Sequence, residues 1–160
     1  MAVDPKLRIC GAAVASKYPA VGQVVPFVRA GVGAFCTQHY ARSEWGPQAL
    51  DLLAKGHSPQ ATLDRLLSRD TEPGGRQLAI INMQGRVAVH NPTAASPSSQ
   101  YWGAMTGRYY ACQGNTLAGR DVIVNMAKAY EETRGSLCDR LMAAMIAGDC
   151  AGGDHRGRLA

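Results

Sequence analysis

Ser16 and Lys17 close the first apolar run of the chain, residues 9–15, and Thr37 and Gln38 close the second, residues 32–36. An amine delivered at a strand end can depress a neighbour's pKa or hold a carboxylate, which makes Ser16-Lys17 a candidate polar site. Thr37 and Gln38 could offer a hydroxyl and an amide to a ligand. Farther on, Gln113-Gly114-Asn115 sets two carboxamides about a glycine that lets backbone come close. Such a trio can donate hydrogen bonds to a developing oxyanion. Asp154 stands in a charged, glycine-rich tail, Gly-Gly-Asp-His-Arg-Gly-Arg. Each group also has a plainer explanation. Lys17 can snorkel while Ser16 opens a turn, and Thr37 and Gln38 can cap a strand end. Gly114-Asn115 can turn a strand into a helix, and Asp154 can pair with an arginine in a shaped turn. Spacing leaves both readings open.

Other chemistry is set aside by pattern. Five cysteines form no CxxC pair, and the four histidines, at 39, 57, 90 and 155, are scattered. No metal site is expected, and no cofactor. Cys10, Cys36 and Cys112 lie in apolar runs, where a free thiol behaves as a small hydrophobe, so a reduced, cytoplasmic protein is the economical expectation. Gly31-Val32-Gly33 starts like a dinucleotide fingerprint, but Cys36 stands where the third glycine belongs. The net charge of +5 is spread along the chain and suits solubility or an anionic ligand. The basic tail lacks interleaved aromatics, so no nucleic acid is expected as partner. No window approaches the ~20 apolar residues of a membrane span, and no signal peptide is visible at the start.

The elements that must position these groups follow from periodicity. A length of 160 residues, 46% of them apolar, supports one core and a single domain over 1–160. Residues 9–15 and 32–38 read as strands covered on both faces. Residues 1–8 read as too short and polar for a full strand, with Asp4-Pro5-Lys6 as a turn. Gly46-Pro47 starts a helix that Gly56 stops, and Ser58-Pro59 starts another with Leu63, Leu66 and Leu67 on one face. Residues 77–82 and 86–90 flank Met83-Gln84-Gly85 as a hairpin. Residues 92–99 read as a long loop, Tyr101-Trp102 as core or loop packing, and 109–113 as a short strand. Asp121 and Ser136 each cap a helix, closed by Gly135 and Gly148. Strands alternating with two helix pairs predict helices outside and sheet inside.

Four blocks, 3–22, 29–38, 113–119 and 147–158, together with 46–53, resemble the bacterial family of domain of unknown function 1028, placed in the Ntn-hydrolase (N-terminal nucleophile) superfamily. The resemblance implies an α+β fold, a four-layer αββα sandwich, which could here be truncated at both ends. It implies hydrolysis of an amide bond in a small-molecule or peptide-like substrate, with Ser16, Lys17 and Asn115 in catalytic roles. Thr37, Gln38, Gln113 and Asp154 would bind substrate. The family pattern opens with Met-Thr or Met-Ser and an apolar strand, whereas here Met1-Ala2-Val3 precede Asp4-Pro5. The nucleophile is therefore expected to be missing from this chain, and a strand after Arg-Gly-Arg with it. The alternative is a non-catalytic ligand-binding or assembly module on the same fold. Uncovered sheet edges predict a homo-oligomer.

Overall fold

The computed structural model describes residues 1–94 and 97–158. Eight strands form two antiparallel four-stranded sheets, ordered β2-β1-β8-β7 and β3-β4-β5-β6. The first joins β1 (Ala2–Asp4), β2 (Ile9–Gly11), β7 (Tyr101–Gly107) and β8 (Tyr110–Leu117). The second joins β3 (Pro26–Arg29), β4 (Gly33–His39), β5 (Arg76–Asn82) and β6 (Val87–His90). Four helices, α1 (Trp45–Ala54), α2 (Pro59–Leu67), α3 (Arg120–Glu132) and α4 (Leu137–Cys150), complete a mixed α+β structure.

Alternation along the strands decides what each face meets. Phe35, Leu78 and Ile80 point toward α1 and α2 and pack on Trp45, Ala49, Leu50, Leu53, Leu63 and Leu66. Tyr110, Cys112 and Leu117 pack on Val122, Ile123, Ala127 and Tyr130 of α3 and on Leu137 and Ala144 of α4. Ala34 and Ile81 point the other way and meet Val3, with Cys10 and Tyr109 against them, so a small third cluster joins the sheets. Each fully buried Leu, Ile or Phe contributes about 1.5–3 kcal/mol through removal from water.

Helix starts obey local chemistry. The Ser58 hydroxyl accepts the Ala61 N–H at 3.1 Å, with Pro59 in the first turn. Ser136 and Asp139 form a reciprocal capping box. Gly56, at φ 89°, ends the first helical pattern as expected. α3 begins two residues earlier than a cap at Asp121 implies, at Arg120 with Gly119 before it, so Asp121 lies in the first turn, and α4 runs past Gly148 to Cys150.

The strands depart from expectation more. Residues 1–8 do hold a strand, β1, sandwiched between β2 and β8. Its pairing on both sides supplies what a three-residue apolar run cannot. The 9–15 strand ends at Gly11, so Lys17 follows five residues of irregular chain rather than a strand end. β3 lies hidden in the Gly- and Pro-bearing connection, an edge strand, where Pro26 is tolerated. Tyr101 and Trp102 open β7, a full strand paired along β8. Of the 92–99 loop, residues 95 and 96 lie outside the described set, and 97–99 form a 3₁₀ turn.

Candidate functional site

A cavity of about 1460 Å³ lies where the two sheets part. β1 pairs Ala2 with Gly11 on one side and with Tyr110 on the other. Beyond Ala2, residues 13–17 and 111–116 face each other across open space, and both line the cavity. Cys36 and Gln38 wall it from the second sheet, and Met126, Leu141 and Met145 from α3 and α4. The cavity thus passes through the plane of the first sheet. Met1 stands at its edge: its amino group donates to Ala111 O at 3.0 Å, and Ala111 N–H donates back at 2.9 Å.

Of the expected site residues, Ser16, Lys17, Gln38, Gln113, Asn115 and Asp154 all line this cavity. Thr37 does not. It alternates with Cys36 and Gln38, so it turns to the face of Phe35, fully buried, where its hydroxyl accepts the Arg42 N–H at 3.0 Å. Ser16 Oγ accepts the Tyr18 N–H at 3.1 Å and closes a turn. Lys17 Nζ donates to the Arg156 carbonyl at 2.8 Å, tying the 12–17 segment to the tail across the cavity mouth.

The carboxamides form one connected group about Gln77, a residue the sequence reading passed over. Gln77 Oε1 accepts from Gln38 Nε2 at 2.9 Å and from Asn115 Nδ2 at 3.0 Å. Its Nε2 donates to Gly114 O at 2.8 Å, Asn91 Oδ1 at 3.0 Å and Gly103 O at 3.2 Å, three acceptors shared by two hydrogens. Gln77 is fully buried and pins β5 of one sheet to β7 and β8 of the other. Its signal was available: a polar residue directly before four consecutive apolar ones, Leu78 to Ile81, within one strand. Gln113-Gly114-Asn115 lies inside β8 rather than in a turn, so Gln113 and Asn115 project to the inter-sheet side. Both side-chain polar atoms of Gln113 are buried without a hydrogen-bond partner. Asn115 is followed by Thr116 at φ 57°, and the Thr116 hydroxyl donates to Asn115 Oδ1 at 2.7 Å.

Charge gathers at the mouth. Burial opposes ionisation of Asp154, yet hydrogen bonds from the Arg156 side chain and backbone N–H outweigh it and hold the carboxyl below its ordinary value. The pair meets at 2.5 Å, the ion pair expected for the tail. Arg158 bonds Asp149 and lowers that carboxyl too. His39 Nε2 lies 3.2 Å from Ser99 Oγ and its Nδ1 2.8 Å from Gly75 O. Desolvation pushes the Cys36 and Cys112 thiols up to about 11, so both stay protonated at neutral pH and neither is a ready nucleophile. Among the described residues no group of three or more His, Cys, Asp or Glu gathers to hold a metal ion, and no helix is long and apolar enough to cross a membrane. The site is therefore a cavity that sets carboxamides and Lys17 among apolar side chains, with charged pairs at its mouth.

No curated protein matches the chain. A crystal structure of a Silicibacter pomeroyi protein carrying the DUF1028 family model is similar, with a TM-score of 0.80 and 26% sequence identity. The match covers 86% of this chain and 63% of that one, so the chain spans less than two thirds of the length of that protein. The model of the family of unknown function DUF1028 matches residues 1–160, the whole sequence, and the chain belongs to that family.

Proposed function

We propose that the protein is an amide hydrolase of the N-terminal-nucleophile type, built on a four-layer αββα sandwich and acting on a small-molecule or peptide-like substrate. One observation carries the reading: the leading end of β1 opens into the cavity, beside Lys17 and the Gln38–Gln77–Asn115 group. In this reaction class the first residue of the first strand attacks the substrate carbonyl, and its own amine takes the hydroxyl or thiol proton. The C–N bond then breaks, the leaving amine takes that proton, and water hydrolyses the acyl intermediate. A strand end opening into a cavity that also holds amide side chains and a lysine is what such chemistry requires. The sandwich itself is supported by α1 and α2 packing on one sheet, α3 and α4 on the other, and a cluster between the sheets.

Roles follow from position. The Ala111–Met1 bonding pair sets the phase of β8, whose peptide groups alternate between its two neighbours. A residue two places ahead of Met1 on the same strand line would therefore lie against Gln113. The Asn115 amide would polarise a substrate carbonyl and Lys17 would favour a neutral amine or an anionic intermediate, while Gln113 would help wall the substrate pocket. Gln38 and Asp154 line the substrate's path, with Ser16 shaping the turn that carries Lys17. The free state of all five cysteines suits a reducing, cytoplasmic setting.

The Gln38–Gln77–Asn115 amide group favours a second reading, a binding module that holds an amide-bearing ligand by hydrogen bonds without cleaving it. Hydrolysis of an amide-substrate panel by the protein with its natural N-terminus separates the two. We expect Lys17→Ala to lower kcat at least 100-fold without changing thermal unfolding, and Asn115→Ala to lower kcat as far while also lowering the thermal midpoint, because its amide bonds Gln77. Turnover unaffected by both substitutions would overturn the hydrolase reading. Saturable binding without any turnover supports the second reading instead.

A further inference from the structure

His39 ends β4 directly after Gln38, and simple alternation would turn it to the face that Thr37 shares with Phe35. Instead its backbone adopts φ 65°, a left-handed conformation that non-glycine residues seldom hold, and both Gln38 and His39 line the cavity. The imidazole is held at both nitrogens. The Gly75 carbonyl lies 2.8 Å from Nδ1 and can only accept, so Nδ1 of the neutral ring carries the proton. Nε2 therefore presents a bare lone pair, and the Ser99 hydroxyl donates to it at 3.2 Å. Tyr40 stacks on the ring with centroids 5.0 Å apart. Ser99 is 6% exposed, ends the 97–99 turn and lines the same cavity. His155 Nε2, 3.0 Å from the Ser98 carbonyl, ties that turn to the tail. A hydroxyl set against one nitrogen of a base, whose other nitrogen a third group fixes, is the arrangement that activates a serine.

We propose that Ser99 is a nucleophile for acyl transfer and His39 its general base, a site that acts on esters and is separate from the N-terminal chemistry above. Ser99 Oγ attacks the ester carbonyl carbon as its proton passes to His39 Nε2. The C–O bond to the leaving group breaks, and the imidazolium gives that proton to the departing oxygen. A water then attacks the acyl-serine and gives its proton to His39, and the acid leaves as Ser99 Oγ takes the proton back. Ester and water become acid and alcohol, with no other reagent. The third member of the group decides the class. A backbone carbonyl fixes the tautomer and the ring, but it carries no full negative charge to steady the imidazolium, as a carboxylate would. The pair therefore suits esters, whose leaving groups need less help from a proton than amines do. Val25, Cys36 and Met126 in the cavity lining suit an aliphatic acyl chain.

A fluorophosphonate probe on the full chain tests the proposal, since an activated hydroxyl displaces its fluoride and keeps the phosphonyl group. We expect a single adduct by intact mass, mapped to Ser99 by peptide sequencing, and hydrolysis of p-nitrophenyl butyrate that the adduct blocks. His39→Asn should slow labelling at least 100-fold with an unchanged circular dichroism spectrum. Asparagine also tolerates the left-handed backbone but cannot take the proton. No adduct, an adduct on another serine, or labelling of Ser99 indifferent to His39→Asn would each overturn it, the last marking the His39–Ser99 bond as structural only. The two readings fail separately. An amide panel left uncut by the protein with its natural N-terminus would sink the N-terminal reaction and not this one, whereas an unlabelled Ser99 would sink this one alone.

Discussion

Two buried polar side chains carry more of this structure than their number suggests. Asp70 has a fully buried carboxylate, and Arg76 Nε donates to it at 2.7 Å while its guanidinium also bonds the Tyr40 carbonyl and lies 5.6 Å from the Trp45 ring. The Arg76 hydrogen bond, working against burial, holds Asp70 below the usual carboxylate value. A lowered native pKa means that the unfolded chain takes up the proton first. The contribution is therefore complete above the unfolded value, about 4, and is lost as pH falls through the native value. Asp139, Asp149 and Asp154 are shifted the same way, so chemical denaturation should show stability falling steadily below about pH 4. Arg76→Met leaves the buried Asp70 carboxylate with Arg42, at 3.6 Å, as its ion-pair partner and should cost about 3 kcal/mol at pH 7, measured by urea unfolding. The same variant should flatten the acid slope. Gln77→Leu keeps the volume but strands Gln38 and Asn115, and should cost about 2–4 kcal/mol by the same measurement. A loss under 1 kcal/mol would show that the amide group adds little to joining the sheets.

Among the elements, β4 is held from both edges: it pairs with β3 on one side and along its whole length with β5 on the other. Its first residue, Gly33, sits at φ 147°, and a Cβ there would lie 2.0 Å from the Ile81 backbone oxygen. Backbone cannot step aside as a flexible side chain can. Gly33→Ala should therefore lower stability by more than about 2 kcal/mol, read from the thermal midpoint, whereas Gly22→Ala, which meets nothing within 4 Å, should leave it unchanged. Helices were legible because caps and apolar spacing are written locally: Ser58, Gly56 and Ser136 all mark ends that the structure keeps. β1, β3 and β7 were not. Their residues are few, polar or glycine-bearing, and partners distant in sequence, such as Tyr110 for Ala2, hold them in place.

The whole molecule is two sheet-and-helix halves joined through a narrow contact. Val3, Ala34 and Ile81 form its apolar part, and Gln77 with Asn115 its polar part. Ile81→Ala should open a void that neither sheet can fill and cost about 2–5 kcal/mol. Because the void lies at the joint, hydrogen exchange should rise in both β1 and β4 rather than in one half alone. The amide pocket occupies the other end of the same gap, so its shape depends on how far apart the joint holds the sheets. Composition, most helix positions and the chemical types of the candidate site residues could be taken from the sequence, since each is a local property of residue type and spacing. Which of those residues share a cavity could not. Thr37 and Gln38 are neighbours in the chain, yet strand alternation sends one into a core and the other into the pocket. Gln77 and Asn115 lie far apart in sequence and meet at 3.0 Å because two sheets stack. Distance between side chains belongs to the packing of the sheets, and no run of residues carries it alone.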